Sequence, residues 1–210
     1  MSVERGTAAQ LVRRRERLAQ GAEHIGWKIG FNLPAIQERL AIEAPVTGFL
    51  TTDGLLDDGA TWSLGDGEVL VESEIAVEIG EDAHSIAALL PALELVDPPD
   101  LGIELEQILA GNVFHRAVVF GPRVETDRPG AVRVLVNGEK QQAIGAERAG
   151  AALEAMVAAA SARLEAVGER LVPSDRIITG ILCPPYAAQA GDRVRLEVEG
   201  LGAVELAVAA

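Results

Sequence analysis

The 210-residue sequence predicts an α+β protein: a mixed, mainly β sheet or barrel with one long helix and a few short helices. Three observations lead there. Apolar and polar residues alternate in short stretches, most clearly over residues 69–80, where Val69, Val71, Ile75, Val77 and Ile79 share the run with Glu72, Glu74 and Glu78. A single long stretch, residues 146–171, carries an apolar stripe at helical spacing, through Leu153, Met156, Val157, Ala160, Leu164, Val167 and Leu171. Aromatic residues make up only 3% of the chain, so the core must be built from Val, Leu, Ile and Ala.

The elements follow in order. Thr7 is placed to cap a polar, surface-lying helix that ends near Gly21. Residues 26–31 read as a strand with Trp27, Ile29 and Phe31 on one face and Lys28 on the other. Pro34 suits the first turn of a short helix. Residues 47–56 and 61–64 read as short strands, followed by the acidic strand. A small helix is expected over residues 84–90, then an apolar run over 91–97 that is interrupted by Glu94 and stopped by Pro98-Pro99. Residues 117–120 form a strand. Asn137-Gly138 marks a tight hairpin between residues 132–136 and 139–142, because this dipeptide tolerates the positive φ angles of a type I′ turn. The long helix comes next, then a strand over 176–182 and a final hairpin from residues 192–199 and 203–208.

Bulk properties narrow the function. A formal net charge of −14 opposes binding to nucleic acid or to anionic membrane surfaces. It also means that an anionic substrate needs a local cation to attract it. Cys183 is the only cysteine, so no intramolecular disulfide can form, which suits a reducing compartment. No apolar run has the length of a membrane-spanning helix, and the first residues lack an apolar signal core. The expected location is cytoplasmic.

The acidic strand carries the chemistry. Glu72, Glu74 and Glu78 stand on one side of it, and neighbouring carboxylates repel unless protons or a cation neutralise them. Two readings fit the spacing: a solvated acidic face, like the pairs Glu104/Glu106 and Glu197/Glu199, or a site for a hard divalent cation.

Four segments in order resemble the fumarylacetoacetate hydrolase superfamily, in its 2-keto-4-pentenoate hydratase and 2-oxo-hex-3-enedioate decarboxylase branch. They are Gly26-Trp-Lys-Ile-Gly30, Val71-Glu-Ser-Glu-Ile-Ala-Val77, Leu90-Pro-Ala-Leu-Glu-Leu-Val-Asp97, and Ile178-Thr-Gly180 leading to Ala190-Gly-Asp192. The resemblance covers about residues 26–207. It implies a catalytic domain of that type over residues 26–210, preceded by a helical segment over residues 1–25. It implies that Glu72, Glu74 and Glu94 hold Mg²⁺ or Mn²⁺. Glu94 fits physically, since a carboxylate inside an apolar run is costly unless something pairs with it. Lys28 matches the family's lysine beside the metal, where it can hold a substrate carboxylate, stabilise an enolate, or donate a proton if burial lowers its pKa. Asn112, Thr179 and Gly180 match substrate-binding positions, although Asn112 lacks the family's acidic neighbour.

The implied reaction is hydration of a 2-hydroxy-2,4-dienoate through a metal-stabilised enolate, in the breakdown of aromatic compounds. Decarboxylation of a 2-oxo acid, acylpyruvate-type hydrolysis and a non-catalytic role are the alternatives. The implied partners are a small 2-oxo acid and further copies of the chain. The chain is shorter than typical members before Gly26 and around residues 98–111, and residues 182–189 depart from the family's pocket segment. His24, His84 and His115 fall outside any matching His–Glu dyad and are expected to be ordinary residues. Glu78 is expected to be solvated.

Overall fold

The computed structural model describes residues 2–65, 67–98, 102–151 and 153–210. Its elements in chain order are α1 (Ser2–Ala19), β1 (His24–Gly30), α2 (Pro34–Leu40), β2 (Val46–Thr51), a 3-10 turn (Thr52–Gly54), β3 (Leu55–Leu56), β4 (Thr61–Ser63), β5 (Leu70–Ile79), β6 (Ile86–Val96), α3 (Leu105–Ala110), β7 (His115–Phe120), β8 (Val132–Val136), β9 (Glu139–Ile144), α4 (Ala146–Gly150), α5 (Leu153–Glu165), β10 (Arg176–Ile178), β11 (Tyr186–Ala187), β12 (Arg193–Val198) and β13 (Gly202–Ala209).

Two sheets form. The larger runs β2-β1-β10-β5-β6-β7-β3, with β11 also beside β5, and the smaller runs β4-β13-β12-β8-β9. β2 and β3 lie at opposite edges of the larger sheet, yet only the three-residue turn Thr52–Gly54 joins them. Three residues span at most about 10 Å, so the sheet must curl until its edges almost meet. The result is an incomplete barrel. Alternation along each strand sorts the side chains. Trp27, Ile29, Phe49, Ile75, Leu89 and Leu93 face outward and merge into one core with Val134, Val194, Leu196 and Leu206 of the smaller sheet and Val157 and Leu164 of α5. Leu50, Ala76, Leu90, Ala92, Val118 and Ile178 face inward and form a separate, nearly solvent-free cluster inside the curl. Glu72, Glu74 and Glu94 belong to this inner face by register, with Glu72 directly opposite Glu94 on the neighbouring strand.

Several sequence expectations change. The helix expected over residues 84–90 is instead a turn feeding β6. Asp82 Oδ1 accepts hydrogen bonds from the backbone N–H groups of His84 and Ser85 and from the Ser85 hydroxyl. Ile86 onward then pairs with β5, and this pairing overrides the helical propensity of Ala87-Ala88-Leu89-Leu90. The long helix splits into α4 and α5, because Ala151 is extended (φ −62°, ψ 129°). Ala152 lies outside the described residues, as does Pro99 of the expected Pro98-Pro99 stop. The longest described helix is α1, which begins five residues before Thr7 and docks on α3, a helix the sequence reading did not anticipate. Phe31 ends β1 rather than extending it, because its backbone is left-handed (φ 56°). Glu78 is not solvated: it is buried at the far end of the inner face, where Arg123 Nε donates to it at 2.6 Å and Arg176 lies 3.6 Å away. The Asn137-Gly138 hairpin forms as expected, with φ angles of 53° and 81°.

Candidate metal centre

One end of the inner face gathers the charged groups. β5 supplies Glu72 and Glu74, β6 supplies Glu94, and a carboxylate oxygen from each lies within 4.8 Å of the other two. β1 supplies Lys28, whose ammonium donates to Glu94 Oε1 and to the Val113 carbonyl at 3.1 Å. β2 makes room for it: a Cβ on Gly48, directly across from Lys28, would stand 2.6 Å from Lys28 Cγ. Glu74 and Glu94 are at most 1% exposed, and Lys28 is 2% exposed.

Glu74 and Glu94 each have one oxygen bound by the protein and one left over. Glu94 Oε1 accepts from Lys28 and sits 2.7 Å from His115 Nδ1, while Oε2 has no partner. Glu74 Oε2 accepts from the Gly180 backbone N–H at 2.7 Å, while Oε1 has no partner. Unpaired carboxylate oxygens in a dry interior are costly, and the donor set is all oxygen, as hard divalent cations require. Three carboxylates and one ammonium leave two negative charges, which a divalent cation cancels. The residues present therefore fit such an ion.

The electrostatics show the same tension. Burial, and then the Glu94 charge, push Glu72 up to about 7. Burial, joined by Glu94 and Glu72, drives Glu74 well above the usual carboxylate range. Glu94 goes the other way: burial pushes it up, but Lys28 and His115 outweigh burial and hold it below its ordinary value. For Lys28 burial acts downward, and Glu94, Glu72 and Glu74 outweigh it, so the ammonium keeps its charge more firmly than a free lysine. Among the protein's own groups, the balance at Lys28 therefore favours the charged ammonium.

Asn112 begins a run of three consecutive left-handed residues, Asn112, Val113 and Phe114, with φ of 65°, 55° and 63°. Such backbone costs about 1–2 kcal/mol per residue and needs external support. Asn112 provides it: its carboxamide accepts from Phe49 N and donates to Phe49 O, both at 2.9 Å. The side chain is thereby occupied in holding the turn that presents the Val113 carbonyl to Lys28. Thr179 uses its hydroxyl on the Ile75 carbonyl at 2.8 Å. Gly180 lines the pocket and needs its positive φ (95°); a Cβ there would lie 2.4 Å from the Asn32 amide nitrogen.

His115 was missed in the sequence, where it reads as an ordinary residue; its side chain is only 3% exposed and engages Glu94. Strict alternation would put His115 on the outer face with Ala117 and Val119. A register shift between Leu95 and Val96 pairs it with Val96 instead, on the side of Glu94. His24 also holds a carboxylate, with Nε2 3.1 Å from Asp175 Oδ1, but at a separate place beside Trp27.

A pocket of about 220 Å³ opens over this cluster, lined at its charged end by Lys28, Glu72 and Gly180. The family model for the fumarylacetoacetate (FAA) hydrolase C-terminal domain matches residues 35–209. The chain belongs to the fumarylacetoacetate hydrolase family. Curated relatives of this family member include the 2-hydroxyhexa-2,4-dienoate hydratase of Comamonas testosteroni, 30% identical over 96% of the chain and 84% of the relative. The 2-keto-4-pentenoate hydratase 2 of Dechloromonas aromatica is 29% identical over 94% of the chain and 82% of the relative. Among solved structures, 4-oxalocrotonate decarboxylase from Pseudomonas putida G7, complexed with magnesium and adipate, superposes with a TM-score of 0.84 at 22% identity, covering 95% of this chain and 83% of that one. That likeness establishes the shared fold. Among the described residues, no helix is long and apolar enough to cross a membrane.

Proposed function

We propose that this protein is a divalent-metal-dependent hydro-lyase that adds water to a small 2-hydroxy-2,4-dienoate, with Glu72, Glu74 and Glu94 holding Mg²⁺ or Mn²⁺. The observation that carries the reading is the pair of buried carboxylate oxygens without protein partners, Glu74 Oε1 and Glu94 Oε2, beside Glu72 at the floor of a pocket. The bound cation supplies Lewis acidity, polarising the 2-oxo group and taking up negative charge as it develops.

The chain's own residues do the rest. Lys28 keeps two of its three N–H donors on Glu94 and Val113, which leaves one for an anionic ligand in the pocket that it lines. Its fixed charge favours an enolate over the neutral ketone in a site from which water is largely excluded. Lys28 and His115 both spend protons on Glu94 Oε1 and so keep that carboxylate ionised and aligned. The Gly180 N–H does the same for Glu74. In the net reaction the enol proton moves to the terminal carbon, giving a 2-oxo-3-enoate. Water then adds its hydroxyl to C4 and a proton to C3, so the atoms balance.

The names of the curated relatives support hydration as the reaction, and residues 26–210 carry every group invoked. The active form is proposed to be a homo-oligomer acting in the cytoplasm. Turnover of 2-hydroxypenta-2,4-dienoate, followed by loss of its ultraviolet absorbance, should require Mg²⁺ and stop on chelation. Glu74→Gln should remain folded and lose cation binding by about two orders of magnitude. Cation affinity unchanged in that variant would remove the ligand set.

A further inference from the structure

The connection between β1 and α2 delivers one polar side chain to the pocket, and the following rests on the function proposed above. Phe31 closes β1 in a left-handed conformation (φ 56°), which is costly for a bulky residue and persists only where neighbours hold it. Gln37 of α2 does so, its Nε2 donating to the Phe31 carbonyl at 2.8 Å. The next residue, Asn32, packs against Gly180 so closely that a Cβ at position 180 would overlap the Asn32 carboxamide. Gly180 in turn gives its N–H to Glu74. Asn32 thus lies beside the residue that anchors one of the three glutamates, and it lines the same pocket as Lys28 and Glu72.

Among the described lining residues Asn32 is the one neutral polar side chain, and it makes no hydrogen bond to the described protein. Asn112 differs, with its carboxamide committed to Phe49 in both directions. The acids Glu72 and Asp97 accept hydrogen bonds when ionised, so the side-chain N–H donors of the lining are those of Lys28 and Asn32. A 2-oxo acid that gives the cation its 2-oxo oxygen and one carboxylate oxygen keeps a second carboxylate oxygen that needs a donor. We infer that Asn32 is a substrate-binding residue, donating through its Nδ2–H to the carboxylate oxygen that the cation does not take.

The test measures pyruvate binding to the full chain in the presence of Mg²⁺ by calorimetry, with Mg²⁺ affinity and Tm followed alongside. Asn32→Ala should melt like the wild-type protein and bind Mg²⁺ within a few-fold of it, because the carboxamide holds no other part of the chain. Pyruvate should bind that variant about 10–100-fold more weakly, the usual worth of a hydrogen bond to a charged group. Asn32→Asp should weaken pyruvate further, since a carboxylate cannot donate and repels the ligand. Unchanged pyruvate affinity in Asn32→Ala overturns the inference and leaves the metal-dependent function standing. So does recovery of affinity in Asn32→Asp, which would make the group an acceptor. A matching loss of Mg²⁺ affinity in Asn32→Ala also overturns it, because Asn32 would then act through the glutamates. Failure of the folded, Mg²⁺-loaded wild-type protein to bind pyruvate overturns both this inference and the function beneath it.

Discussion

At the scale of single residues, Glu74 and Glu94 each give one oxygen to the protein and keep the other without a protein partner, which the proposed cation would take. Lys28 illustrates the consequence. Lys28→Met removes a hydrogen bond to Glu94, which weakens cation binding, and a positive charge that repels the cation, which strengthens it; the two offset, so cation affinity should hold within a few-fold while turnover falls by about a hundredfold or more. Steady-state kinetics beside Mn²⁺ titration would separate the two, and wild-type turnover would exclude Lys28 from the chemistry. His115 acts one step back, through Glu94. His115→Phe should weaken cation binding by about 10–100-fold, the usual effect of removing a hydrogen-bond partner from a ligating group. The shared face of Glu72 and Glu74 was legible because period-two spacing survives in any straight strand, whereas Glu94, a charge within an apolar run, joined them only through the family resemblance. His115 was not legible. Its approach to Glu94 depends on a register shift in β6 and β7 and on three left-handed residues, none of which leaves a mark in residue order.

At the scale of elements, the turn after β10 does more than connect strands. Gly180 combines positive φ, close packing against Asn32 and an N–H aimed at Glu74. Gly180→Ala should cost about 1–2 kcal/mol in backbone strain, lowering Tm by roughly 2–8 °C, and should also weaken cation binding because the N–H moves. Thermal unfolding with and without Mg²⁺ checks both parts. The hairpin at Asn137-Gly138 was readable because its turn chemistry is local. The start of β6 was not, because its residues favour helix and only pairing with β5, tied by the Asp82 turn, makes them a strand. The long helix failed for a similar reason: the Ala-rich residues before its apolar stripe favour helix, yet the backbone at Ala151 is extended.

At the scale of the whole molecule, the carboxylate cluster is a liability that the proposed cation would convert into a support. Mg²⁺ at about a hundred times its dissociation constant should stabilise the fold by ~2.7 kcal/mol, raising Tm by roughly 5–10 °C. Sodium chloride at equal ionic strength should not reproduce the rise, and Glu74→Gln should abolish it; an equal response to both salts would show screening rather than binding. Sequence patterning gave the class of fold because alternation and helical periodicity are local. It could not give the curl of the larger sheet. That depends on strand order, above all on β1 lying parallel to β10 some 150 residues further along the chain.

The opposite end of the barrel interior is stoppered. Arg176 stacks over Phe120 at 5.0 Å, Glu78 is clamped between Arg176 and Arg123, and apolar side chains fill the space from there to the glutamates. Among the described residues the inner face therefore has an open pocket at its carboxylate end and a packed, ion-paired plug at the other, so under the proposed function a ligand at the glutamates would arrive and leave from the pocket side.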